Sequence, residues 1–261
     1  MTKLVDACKA GNVRFIMSIM NSGHDINELN EQKLSPLSVS CKENNLKLAE
    51  LLIKKGADVN IKDGSAPSPL YFAVQNDNFE LVKTLVESGA DTNSIFESYT
   101  PLMIAIENKN LGMIKLLLEN GADVNTENKF GITPLMLACL HCGHSIVIEI
   151  LKRDINPNKT MFTGKNAAHF AAENNKLDVI KLLGVFCVDL LKEDDFGRSS
   201  LDFLLHDERS TLVTSASCTG NSRADKRPLE YEDDYLDPAD LVGCKRSIYS
   251  GIPNFLGDSE F

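Results

Sequence analysis

Four short phrases limit what this chain can fold into: Ser35-Pro36-Leu37, Ser68-Pro69-Leu70, Thr100-Pro101-Leu102 and Thr133-Pro134-Leu135, with prolines 33, 32 and 33 residues apart. A hydroxyl residue followed by proline is a helix start. The hydroxyl accepts a backbone N–H of the first turn, and proline at the first helical position gives up an N–H that has no intrahelical partner. In the stretch from Thr100 to Asn125, Leu102, Ile104, Ala105 and Ile106 then cover one broad side of a helix of about two turns. Asn108, Lys109 and Asn110 break it with turn-favouring residues. A second helix starts near Leu111 and places Met113, Ile114, Leu116, Leu117 and Leu118 at helical spacing, until Gly121 offers a residue that takes positive φ. An extended polar link, Ala122 to Asn125, closes the unit, and the phrase recurs at Gly56 to Asn60 and at Gly89 to Asn93.

Two helices this short cannot bury their apolar sides against each other alone, so such units must stack on copies of themselves. The copies run at approximately 1–30, 31–63, 64–95, 96–128, 129–161 and 162–193, with a half-unit at 194–206. The first lacks the hydroxyl-proline start, as suits an N-terminal cap whose outer face meets water. In the sixth, Asn166-Ala167-Ala168-His169 replaces the proline start, although Asn166 still caps. Gly184 is expected to fray the end of its second helix, by about 1 kcal/mol relative to alanine. The half-unit DDFGRSSLDFLL reads as the C-terminal cap. Beyond it the pattern disappears, and the composition of 207–261, Ser/Thr-rich and then acidic, predicts a tail that does not fold in isolation.

A net charge of -10 argues against nucleic acid as a partner. No apolar run approaches the roughly 20 residues of a membrane span, and Met1 to Gly11 has no signal-peptide pattern, so an intracellular chain, cytoplasmic or also nuclear, is expected. The seven cysteines have no framework spacing, and Cys8, Cys41 and Cys139 fall inside helical patterns. Reduced thiols are expected.

From Leu4 to Leu205 these motifs resemble the ankyrin-repeat family. The resemblance implies an all-α solenoid of stacked helix-turn-helix units with β-hairpin-like loops along a concave edge. It also implies a non-catalytic protein-binding module, a scaffold, adaptor or inhibitor, expected as a monomer. An IκB-like regulator is the alternative, suggested by about six repeats with an acidic tail; against it, a first repeat starting near Leu4 leaves no room for the serine pair that precedes the repeats in those inhibitors. A targeting subunit of a larger enzyme complex is a more distant alternative.

No catalytic residue or cofactor is expected, since no phosphate loop, nucleophile elbow or carboxylate pair occurs. Cys139, His141, Cys142 and His144 offer four ligand types within six residues, but no second ligand pair follows at finger spacing. In the family pattern Cys139 fills a small core position and Gly143-His144 a turn, so no metal is expected. His169 fills the family's Thr-Pro-Leu-His position, where local hydrogen bonding is its expected role. The fifth repeat is irregular: Pro134 to Gly143 is one residue longer than the family's usual distance, and the closing phrase at Lys152 to Asn158 is compressed and lacks its glycine.

The surface candidates are aromatic. Phe96, Phe130, Phe162 and Phe196 fall at the links before repeats four to seven, 34, 32 and 34 residues apart, where stacking would align them as an edge for a protein partner. Phe130 and Phe196, each followed by glycine, are the ones that could instead tuck in. The polar first-helix residues Glu107, Asn108 and His141 are next in line. In the tail, Tyr231 and Tyr235 flank an acidic run that suits a basic surface or phosphorylation, and Ser259 and Phe261 fit a C-terminal PDZ-like ligand. A ubiquitin-ligase receptor ending is unsupported, because Asp240 to Cys244 has the wrong spacing.

Overall fold

The protein is described by a computed structural model covering residues 3–61 and 66–204. The link at Gly64-Ser65, the tail 207–261 and the motifs at Tyr231, Tyr235, Ser259 and Phe261 lie outside these residues. The described chain forms two compact units, which divide between Lys129 and Phe130.

The first unit holds eight helices in four pairs: α1 (Lys3–Lys9) and α2 (Val13–Asn21), α3 (Pro36–Lys42) and α4 (Leu46–Lys54), α5 (Pro69–Gln75) and α6 (Phe79–Glu87), α7 (Pro101–Glu107) and α8 (Leu111–Glu119). The first helices α1, α3, α5 and α7 lie side by side, and α4, α6 and α8 form a second row against them. Proline starts α3, α5 and α7 behind the hydroxyl caps Ser35, Ser68 and Thr100, each accepting the N–H three residues on. The second helices are capped the same way by Asn12, Asn45, Asn78 and Asn110. Because α7 has neighbours on several sides, Leu102, Met103, Ala105 and Ile106 are completely buried.

The closing phrase persists because it bolts repeats together. The Asn60 carboxamide oxygen accepts the Asp91 N–H at 2.7 Å while its amide donates to the Gly89 carbonyl at 2.8 Å. One repeat on, Asn93 does the same with Asp123 N–H at 2.8 Å and the Gly121 carbonyl at 2.9 Å. Asp58, Asp91 and Asp123 in turn accept the N–H two residues ahead, which fixes the turn. Thus Asn93→Ala, which removes both bonds at an exposed position, is expected to lower stability by about 1–2 kcal/mol in urea denaturation, at roughly 1 kcal/mol per bond less what water restores.

The second unit contains α9 (Pro134–His141), α10 (His144–Leu151), α11 (Ala167–Glu173) and α12 (Leu177–Val185), then a 3-10 helix at Ser200–Phe203 packed on α11. Among the described residues the half-repeat thus contributes a single tight helical turn. The bolt survives here in altered form, with Asn158 accepting the Asp189 N–H at 2.7 Å and donating to the Cys187 carbonyl at 3.0 Å. Gly184 does not fray its helix as expected: α12 runs through it to Val185 and has the same nine residues as α4, α6 and α8. The place of the closing glycine is taken by Cys187 at φ 58, where repeats two to four have Gly56, Gly89 and Gly121 at 84 to 90.

Candidate protein-binding site

The hairpin tips of the second unit are built so that one rests on the next. The Phe162 N–H donates to the Phe130 carbonyl at 3.3 Å, and the Asp195 N–H donates to the Thr163 carbonyl at 3.1 Å. Such close approach needs glycine: Gly131 has φ 77, and a Cβ there would lie 3.1 Å from the Met161 Cα; Gly164, at φ 75, would meet the Asp195 nitrogen at 3.0 Å. Three successive tips carry Phe130, Phe162 and Phe196, with 38%, 72% and 56% of their surface exposed. The Arg198 guanidinium lies 4.5 Å from the Phe196 ring centre, so that ring is held by a cation–π contact while more than half of it meets solvent.

Phe96 belongs to the first unit and sits differently. Its link is a two-residue hairpin in which Phe96 and Tyr99 exchange both backbone hydrogen bonds, at 3.0 and 2.9 Å, with Glu97 and Ser98 at φ 48 and 72 between them. Both central residues have the positive φ of a type I′ turn. The corresponding links Asn30 to Leu34, Met161 to Lys165 and Asp194 to Arg198 close one residue later, so the 32-residue proline spacing is a deletion in this turn. Phe96 is half-buried and packs edge-to-face on Tyr71 of α5, ring centres 5.0 Å apart. The ring that tucks in is thus Phe96, whereas Phe130 and Phe196, the two followed by glycine, stay open.

Beside Phe96 and Tyr99 lies Glu107, at the end of α7. Burial raises its carboxyl above the usual carboxylate range, and hydrogen bonding with the Tyr99 hydroxyl pulls the other way. Burial and then the nearby carboxylates, Glu107 for both and Glu97 for Tyr71, push the Tyr71 and Tyr99 hydroxyls up. Among the described residues no lysine or arginine pairs with Glu107. Sequence reading singled out Phe96 and Glu107 separately but missed Tyr71 and Tyr99; the shortened spacing was the available signal. Asn108, also a candidate, donates its amide to the Val74 carbonyl at 3.0 Å and so ties α7 to α5, as Asn76 ties α5 to the end of α3. His141 ends α9 and is half-buried.

The other candidates for chemistry are held by the fold. Cys139 and Cys142 are buried thiols, and the carbonyls of Cys139, Leu140 and Cys142 all accept from the Lys176 ammonium, at 3.0, 2.7 and 2.7 Å. Burial pushes the Cys139 thiol up, and those of Cys8 and Cys41 up to about 12. Such thiols are protonated and poor ligands or nucleophiles. His169 is buried at the start of α11. It accepts the Asn166 N–H at Nδ1 and bonds the Arg198 carbonyl through Nε2 at 2.9 Å, and burial lowers its pKa. The bond to Asn166 is the local one its position in the family pattern implies, and the bond to Arg198 ties it to the half-repeat as well.

A family model described as ankyrin repeats matches the chain three times, over residues 4–96, 65–128 and 102–185, and the chain belongs to the ankyrin-repeat family. Among solved structures it is similar to the human ASB11 ankyrin repeat domain, at 23% identity and a TM-score of 0.65, covering 79% of this chain and 93% of that one. That likeness concerns the fold. No curated protein matches. Ankyrin repeats are general protein-interaction modules and a non-enzymatic fold, and no described helix is long and apolar enough to cross a membrane.

Proposed function

We propose that the chain is a non-catalytic interaction protein, a scaffold, adaptor or inhibitor, that grips a folded protein partner by the exposed phenylalanine edge of its second unit. The observation that carries this reading is the exposure of Phe130, Phe162 and Phe196 on three consecutive tips linked by backbone hydrogen bonds. Large apolar groups on rigid tips are anchors that lose little conformational freedom on binding. Four of the five described thiols, Cys8, Cys41, Cys139 and Cys142, are buried core side chains, which suits a reducing, intracellular compartment.

The test compares the full chain with a variant carrying F130S, F162S and F196S. Capture of specific partners from cell extract, quantified by mass spectrometry, is expected to fall at least about tenfold, a loss of about 1.4 kcal/mol spread over three anchors. Because the rings stand on tips outside the inter-helix core, the folding penalty should stay well below the roughly 3–5 kcal/mol of deleting a buried phenylalanine. Hydrogen exchange on the captured complex should protect the segments around Phe130 and Phe162. Undiminished capture by a folded variant, or protection confined to the first three repeats, places the contact elsewhere.

A further inference from the structure

We infer that Tyr71, Phe96, Tyr99 and Glu107 form a receiving site for one arginine side chain of a protein partner. The inference rests on the reading of this chain as a protein-binding module, but not on the phenylalanine edge of the second unit. Its first basis is geometry. Residues that exchange both hydrogen bonds across a hairpin project their side chains to the same face. The shortened turn therefore puts the Phe96 and Tyr99 side chains on one face, with Phe96 packed on Tyr71 and Tyr99 hydrogen-bonded to Glu107. All four side chains are half-buried, so the site is shaped yet open.

The second basis is charge. Glu107 is a partly desolvated carboxylate without a basic partner among the described residues, and Glu97 adds a second carboxylate near Tyr71. Lys42 lies over a neighbouring ring instead, 5.9 Å from the centre of Phe72, which follows Tyr71 on α5. Ring faces carry the negative part of the aromatic quadrupole, so three rings and two carboxylates define a site for a cation. An anion would be repelled, and an apolar side chain would desolvate Glu107 further without a compensating bond. Between the two biological cations the site favours guanidinium, which is planar, less strongly hydrated than ammonium, and stacks on a ring while its fork engages a carboxylate.

The experiment is an aromatic NMR titration of the full chain at 150 mM salt with three probes: N-acetyl-arginine methylamide, its lysine counterpart and its neutral citrulline counterpart. Arginine should shift the Tyr71, Phe96 and Tyr99 ring signals at least about fivefold more tightly than citrulline, and more tightly than lysine. Lysine carries the same charge, so it controls for general attraction to an acidic protein. E107Q, which keeps the shape and a hydrogen-bonding partner for Tyr99, should weaken arginine binding about fivefold while leaving the fold intact. Acidification should weaken it as well. The carboxyl is raised, so the charge is lost, and with it the affinity, at a higher pH than for an exposed glutamate. Equal binding of all three probes, indifference to E107Q, or shifts centred on Phe130 and Phe162 would each overturn the inference. If arginine fails here while the triple serine variant still loses partner capture, the interaction function stands and this site falls.

Discussion

Asp194→Ala is expected to destabilise the protein by about 3–5 kcal/mol, the range for removing one partner of a buried ion pair. Arg198 is completely buried, and its guanidinium faces the Asp194 carboxylate, with Nε 3.4 Å from Oδ2. No hydrogen bond reaches Nε or either Nη, so Asp194 and the rings of Phe196 and Phe203, 4.5 and 5.8 Å away, are what offset the desolvated charge. Asp194 also holds the turn, because its Oδ1 accepts the N–H groups of Phe196 and Arg198 at 2.9 and 3.0 Å. Alanine removes the counter-charge and both turn bonds at once.

A companion series separates those roles in urea denaturation. Asp194→Asn keeps acceptors for the two N–H groups and loses only the charge, so it should fall between wild type and alanine. Arg198→Met alone strips the buried Asp194 carboxylate of its counter-charge and should also destabilise, though less than Asp194→Ala, because the carboxylate still accepts the N–H groups of Phe196 and Arg198. Placed on top of Asp194→Ala, it should recover more than about 1 kcal/mol, a positive coupling of the size expected for contacting residues. Full additivity of the two changes would show that the pair does not act as one.

The repeat frame was legible because each of its causes is local in sequence. The cap-proline starts mark α3, α5, α7 and α9, and the recurrence of Gly-Ala-Asp-x-Asn marks the link whose asparagine bolts one repeat to the next. Gly184 misled because propensity is weak against packing: α12 keeps Leu182 and Leu183 fully buried on α11, and burial holds the helix through the glycine. In the candidate sites, the tips of the second unit could be expected from spacing alone. The grouping of Tyr71 with Glu107 could not, since it depends on a turn geometry that follows from one deleted residue. Nor could the buried Lys165 and Arg198 be foreseen: polar residues before a helix start read as surface, yet Lys165 pairs with Glu173 and Arg198 with Asp194 inside the unit.

Lys176→Met is expected to lower stability by about 2–4 kcal/mol. In the first unit the C-terminal carbonyls of one first helix are tied by an asparagine amide of the next repeat, Asn76 reaching Cys41 and Lys42, and Asn108 reaching Val74. The fifth repeat breaks this rule: α9 has eight residues where α3, α5 and α7 have seven, and Asn174, at the end of α11 where Asn76 ends α5 and Asn108 ends α7, donates its amide to the Phe170 carbonyl of its own helix instead. Lys176 bridges the difference with three donors on a long stem, one to each carbonyl of Cys139, Leu140 and Cys142. It thereby gives up the capping role of Asn45, Asn78 and Asn110, and α12 has no side-chain cap. Hydrogen bonds from a charged group contribute about 1.5–3 kcal/mol each, and a cation at a helix C-terminus adds to them; partial exposure lets water replace some, which sets the total below the sum. Lys176→Arg keeps the charge but presents a flat fork that does not converge on three carbonyls, and should lose about 1–2 kcal/mol. Lys176→Asn regains the cap, worth about 1 kcal/mol, and should therefore be milder than methionine. The order wild type, arginine or asparagine, methionine in urea midpoint is the expected result; a methionine variant as stable as wild type would show that water alone satisfies the end of α9.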